Sequence, residues 1–171
     1  MAEEEDEELE EGWQPTLPSV YAGPDALASF LEDYREYKQA RGEDLAFRWD
    51  EDEQVFRTEI GGVEVTVYLA EIDADFYGDA EALVAEAEVG PAEDDLAELL
   101  RFADEELVLT RLALGERAQG EELLVQAGLP VSRWSFELVD MMLREVASVA
   151  AELREDSELE EGDEEPERGR E

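Results

Sequence analysis

The sequence predicts an α+β domain, an antiparallel sheet of about five to six strands with helices packed on it, in the order α-β-β-β-(β)-α-β-β-α. Three observations lead there. Apolar residues alternate in short runs between 45 and 69 and between 107 and 125, the two-residue period of a strand. They recur every three or four positions over 27–37, 96–103 and 138–153, the period of one helix face. Glycine or proline marks nearly every change from one period to the other.

The elements follow in order. Residues 1–12 are acidic and too poor in apolar surface to order themselves, and Pro15 and Pro18 keep the next stretch out of helix. Pro24 suits a first helical position, since its φ is preset and it has no donor to waste. Leu27, Phe30, Leu31, Tyr34 and Tyr37 make the buried stripe of that helix, and Gly42 suits its end. Leu45, Phe47 and Trp49 then alternate as a strand. After the polar run Asp50–Gln54, Val55–Ile60 and Val63–Leu69 flank Gly61-Gly62, a two-residue hairpin turn. Counting back from the turn pairs Ile60 with Val63, Thr58 with Val65 and Phe56 with Val67, which places the apolar residues of both strands on one face.

Residues 71–80 form an acidic connection. Ala82–Val89 reads two ways: its Ala and Glu content favours helix, whereas Leu83, Ala85, Ala87 and Val89 alternate as in a strand. The strand is taken, stopped by Gly90-Pro91. A helix from Pro91, with Asp94 and Asp95 in its first turn, buries Leu96, Leu99, Leu100 and Ala103. Leu107, Leu109, Leu112 and Leu114, then Leu123 and Val125, give a hairpin bracketed by Gly115 and Gly120 and ended by Leu129-Pro130. Ser135 caps the last helix, whose stripe is Leu138, Met142, Val146, Val149 and Leu153. Trp134 and Phe136 read as a hydrophobic staple at its start. The domain is thus expected to span 19–154, between acidic disordered segments at 1–18 and 155–171.

Charge excludes several functions. The chain carries 51 acidic and 13 basic residues, a net of −38, and residues 12–151 alone carry −22. Nucleic acid and anionic membrane are excluded as partners, because phosphate binding needs clustered Lys and Arg. One lysine, Lys38, stands against 12 arginines. Excess carboxylate with scarce lysine is the pattern of salt-loaded cytoplasms, although a high-GC genome supplies the same residues. With no Cys and no His, thiol chemistry and the usual general base are absent. No leader and no apolar run of spanning length occurs, so a cytoplasmic location is expected. A calcium loop starting at Asp73 would need an oxygen ligand at its fifth position and Glu at its twelfth; Tyr77 and Val84 stand there. No nucleophile elbow, phosphate-binding loop or dinucleotide fingerprint is present, and no catalytic residue, metal or cofactor is expected.

The stretch AEAEVGPAEDDLAELLRFADEELVLTRLALG, followed by LLVQAGLPVSRWSFELVDMMLREVASVAAEL, resembles the YbjN family and the related type III secretion chaperone fold. The shared features are a strand ending at Gly-Pro, a short Leu-Leu helix, an apolar hairpin ending at Leu-Pro and a terminal helix. The likeness covers roughly 24–154. It implies a non-enzymatic module that binds an extended segment of a client protein, frequently as a homodimer. Tyr34, Tyr37, Trp49 and Phe56, with Phe30, are aromatic residues that either line a groove where the first helix meets the sheet or belong to the core. The four are the peptide-binding candidates, and the polar tips of Tyr34 and Tyr37 place those two at the groove edge. Two competing readings are an acidic regulatory protein whose tails bind a basic partner and a carboxylate-based hydrolase.

Overall fold

A computed structural model describes residues 25–72, 75, 81–91, 109–117 and 120–162, with side chains of the last helix described as far as Glu155. Among these residues the fold is α+β: helix α1 (Ala26–Gln39), strands β1 (Arg48–Asp50), β2 (Val55–Ile60), β3 (Val63–Glu71), β4 (Glu81–Pro91), β5 (Thr110–Arg117) and β6 (Gly120–Pro130), and helix α2 (Phe136–Gly162). The six strands form one antiparallel sheet in the order β1-β2-β3-β4-β6-β5. The acidic N-terminal segment and the chain up to Pro24, the helix expected after Pro91, Leu107, most of the acidic connection and the tail beyond Gly162 lie outside the described residues.

The β2–β3 hairpin turns on Gly61 and Gly62, with φ of +59° and +82°. Its register pairs Ile60 with Val63, Thr58 with Val65 and Phe56 with Val67, as counted from the sequence. The ambiguous stretch at 82–89 is strand. It pairs on both sides, with β3 and with β6, so tertiary pairing overrides the helical propensity of its Ala and Glu residues. Gly90-Pro91 bends the strand rather than ending it: the register shifts between Glu88 and Gly90, and Pro91 still lies opposite Glu122.

Opposed residues share a face, so the register defines two. One carries Val63, Val65, Val67, Leu83, Ala85, Ala87, Val125 and Ala127, all buried. Helix α2 lies across β4 and β6 on this face and reaches β3. Its buried residues are Val139, Met142, Leu143, Val146, Ala147, Val149, Ala150 and Leu153, and together with Phe30, Leu31 and Tyr34 of α1 they complete one core. Leu138, expected in the stripe, is only half-buried. The other four expected residues, Met142, Val146, Val149 and Leu153, are buried, and Val139, Leu143, Ala147 and Ala150 widen the stripe.

The opposite face is more polar, with Arg57, Glu64, Thr66, Tyr68 and Glu86 along it. Leu124 is buried there, 3% exposed, and lies against Gly115 of the neighbouring strand. A Cβ at Gly115 would stand 2.7 Å from Leu124 Cδ1, so glycine is the residue that fits.

Several boundaries differ from the sequence reading. Strand β1 holds only Arg48–Asp50; Leu45 is buried and Phe47 half-buried before it begins. The β5–β6 reversal is tighter than a loop bracketed by Gly115 and Gly120, since Gly115 already pairs with Glu122 and Arg117 with Gly120. Ser135 caps α2 as expected, its Oγ accepting from Leu138 N at 3.2 Å and its carbonyl from Val139 N at 3.0 Å. That helix runs past Arg154 to Gly162, because Glu, Leu and Ser offer no break before that glycine.

Candidate functional site

The aromatic candidates fall into two pairs. Tyr34 and Tyr37 project from α1, three residues apart, with ring centroids 6.2 Å apart and an interplanar angle of 22°. Tyr37 is half-buried. Its ring meets Phe136 at 5.0 Å and carries the Arg41 guanidinium 3.5 Å above its centroid. Tyr34 is 1% exposed, enclosed by Phe47 at 6.2 Å and Phe136 at 6.1 Å. It therefore lies in the core rather than at a groove edge: its polar tip is satisfied internally by Asp140, so the tyrosine has no need to reach water.

Trp49 and Phe56 make the second pair, facing each other across β1 and β2 with centroids 4.8 Å apart. Phe56 stands opposite Val67, so both rings continue the helix-covered face of the sheet. Phe56 is half-buried, and Trp49 is 43% exposed. The apolar layer thus runs out to the surface at the short edge strand. Phe47, packed on Tyr34 and two residues before Trp49, links the two pairs along the chain. Trp134 and Phe136 do not simply staple each other. Both pack on Phe30, at 4.9 and 5.5 Å, and Trp134 Nε1 donates to the Leu129 carbonyl at 3.3 Å.

A charged cluster unforeseen in the sequence joins α1 to α2. Lys38 is 4% exposed, and its Nζ donates to Asp140 Oδ1 at 2.6 Å and to Glu43 Oε2 at 2.5 Å. Asp140 Oδ1 also accepts from Tyr34 Oη at 2.8 Å. Arg144 contacts Asp140 Oδ2 at 2.8 Å and Glu43 Oε2 at 3.0 Å. Burial pulls the Lys38 amine down, but its bonds to Asp140 and Glu43 outweigh this and hold its pKa above the usual value. Burial likewise pushes Asp140 up, and the bonds from Lys38 and Tyr34 outweigh it, leaving its carboxyl below the ordinary range. Burial, then the bond to Asp140, raises the Tyr34 phenol. The signal was present in the sequence. Lys38 follows Tyr34 by four residues on the apolar stripe of α1, and Asp140 follows Phe136 by four on α2.

On the other face, buried Glu86 accepts from Tyr68 Oη at 3.0 Å and Gln126 Nε2 at 2.8 Å. A cavity of about 50 Å³ beside it is lined by Arg57, Glu64, Thr66, Glu86, Glu88 and Arg154, room for a few waters and not for a sugar ring. Arg57 is held by Asp50, Glu53 and Glu64. Among the described residues no group of three or more acidic side chains is placed to hold a metal ion. None of their helices is long and apolar enough to cross a membrane.

No family model matches the chain, and no curated protein matches it. Among solved structures the chain is similar to the Yersinia pestis type III secretion chaperone SycH in complex with a stable fragment of YscM2. Identity is 20%, with 73% of this chain and 97% of that chain covered at a TM-score of 0.47. It is also similar to YbjN from E. coli, at 16% identity over 82% of this chain and 96% of that one, with a TM-score of 0.45. These two structures represent the two groups that the sequence resembles.

Proposed function

We propose that the protein is a non-enzymatic module of the cytoplasm that binds an extended segment of a client protein along the β1 edge of its sheet. The observation that carries this is the Trp49–Phe56 pair. A 43%-exposed tryptophan stands on a three-residue edge strand that pairs, among the described residues, only with β2. An edge strand supplies backbone donors and acceptors to an incoming extended segment, and an aromatic platform beside it holds an apolar side chain. Tyr37 extends the surface toward α1, while enclosed Tyr34 orders the aromatic cluster from beneath. In a chain of net −38 the client segment suited to this edge is apolar with basic flanks.

The opposite edge suits a second copy. Leu114 is 59% and Leu109 39% exposed on or beside β5. Two-fold pairing of β5 about Ala113 sets Leu112 opposite Leu114 and Arg111 opposite Gly115, with no like charges facing.

The test is a library of extended peptides, basic and acidic, titrated against the full chain near physiological salt. Micromolar binding that weakens about tenfold or more in Trp49→Ala is expected, the loss typical of a central aromatic contact. Binding unchanged by Trp49→Ala, or none from either peptide class, overturns the proposal.

A further inference from the structure

We propose, resting on the client-binding reading, that the β1 edge selects the direction and charge order of its client. The segment docks antiparallel to β1, with a basic residue before and an acidic residue after the apolar side chain laid on Trp49. The free backbone groups of this edge follow from the neighbouring hairpin. A two-residue turn is closed by a hydrogen-bonded pair, here Ile60 and Val63, and bonded pairs alternate along an antiparallel ladder. Thr58–Val65 and Phe56–Val67 are therefore bonded pairs too, which leaves Val55 and Arg57 to bond toward β1. Their partners there are Asp50 and Arg48. Trp49, between those two, turns its N–H and carbonyl away from β2 toward the open edge. Its ring meets Phe56 at 4.8 Å, as befits a non-bonded pair, in which facing side chains stand closest.

An antiparallel strand exchanges both hydrogen bonds with Trp49 through one residue of its own, and pairing of that kind is slightly the stronger per residue. The side chain of that residue shares the face of Trp49 and lies beside the indole. The following client residue then stands opposite Arg48 and the preceding one opposite Asp50, both on the polar face. These two positions differ in sign. The Arg48 side chain is 74% exposed and contacts Glu64 at 3.5 Å, so it can turn to a client carboxylate. Asp50 is bonded to Arg57, but exposed Glu51, Asp52 and Glu53 follow it and make that end of the strand anionic. Opposite charges across neighbouring strands attract and like charges repel, so the charge order of β1 favours one direction of docking. Edge charges that only discouraged pairing would act alike on either order.

Two end-blocked peptides of one composition test this, Ser-Val-Lys-Leu-Glu-Val-Ser and Ser-Val-Glu-Leu-Lys-Val-Ser, titrated calorimetrically against the full chain at low salt. The Lys-first peptide should bind about tenfold more tightly, two matched cross-strand pairs against two mismatched ones. In Arg48→Glu, which makes both positions acidic, the two affinities should come within about twofold of each other. Methylating the leucine nitrogen of the Lys-first peptide removes the donor to the Trp49 carbonyl and should weaken it about tenfold, whereas methylating the next nitrogen, which points outward, should not. Equal affinities, with binding still lost in Trp49→Ala, overturn the charge code and leave the client-binding reading standing. A Glu-first preference, a preference that survives Arg48→Glu, or sensitivity to the second methylation in place of the first overturns it as well. If neither peptide binds, or binding ignores Trp49→Ala, the client-binding reading falls and the charge code with it.

Discussion

Asp140→Asn removes one charge from the α1–α2 cluster while keeping its shape. The amide oxygen can still accept from Tyr34, now 2.8 Å away, but Lys38 loses the ion pair at 2.6 Å. Breaking a fully buried pair costs about 3–5 kcal/mol, because an uncompensated charge stays behind. Here Asp140 keeps 22% side-chain exposure, and Lys38 retains Glu43, itself 46% exposed. The loss should therefore be about 2–3 kcal/mol, near that of a hydrogen bond to a charged group. Urea denaturation near neutral pH measures it, and a double-mutant cycle with Lys38→Met isolates the pair; a coupling of about 1 kcal/mol or more is expected. Acid supplies a further check. Asp140 has a lowered folded-state pKa, so its contribution is complete above the ordinary carboxylate value of about 4 and disappears as pH falls through the lowered one. The gap between wild type and Asp140→Asn should narrow over that interval. A variant within about 0.5 kcal/mol of wild type at neutral pH, or a gap that ignores acid, would refute the reasoning.

Two other outcomes concern the whole domain. Val146 is 0% exposed, so Val146→Asp should abolish cooperative unfolding by circular dichroism; a melting temperature within a few degrees of wild type would show that the α2 face is misassigned. With a net charge of −38, the melting temperature should rise between about 0.1 and 2 M KCl as the screening length falls from about 10 Å to below 3 Å. Sucrose of equal osmotic strength should reproduce only part of that rise, since it screens nothing, and equal effects would rule out repulsion as the cause.

The sheet was legible wherever local chemistry fixed it. Gly61-Gly62 permits one turn geometry, so the whole β2–β3 register could be counted from two residues. The strand at 82–89 was legible through alternation and through the place the topology leaves for a strand, because pairing with β3 and β6 decides it and neither pairing is a local property. Strand β1 was over-read for the same reason: Leu45 and Phe47 alternate, yet they turn inward to pack rather than pair. The candidate site was partly legible. Tyr34, Tyr37, Trp49 and Phe56 announce themselves as aromatics, but composition does not say that Asp140, more than a hundred residues on, satisfies Tyr34 within the core. Nor does spacing on one helix reveal that Lys38 and Asp140 face each other. That becomes readable only when the two helices are laid together and Lys38 on one is matched to Asp140 on the other.

Because β6 rather than β5 lies against β4, the sheet cannot be completed in chain order. The meander from Arg48 to Pro91 can form by neighbouring contacts as it leaves the ribosome. Its last strand must then wait until Gly120–Pro130 has been made before that edge is paired. Leu83, Ala85 and Ala87 wait longer still, for α2 to cover them. Distant pairings of this kind form slowly, since a long loop must close before any contact rewards it. During synthesis the β4 edge and its apolar face are therefore open to pairing with a wrong partner until β6 and α2 have been made.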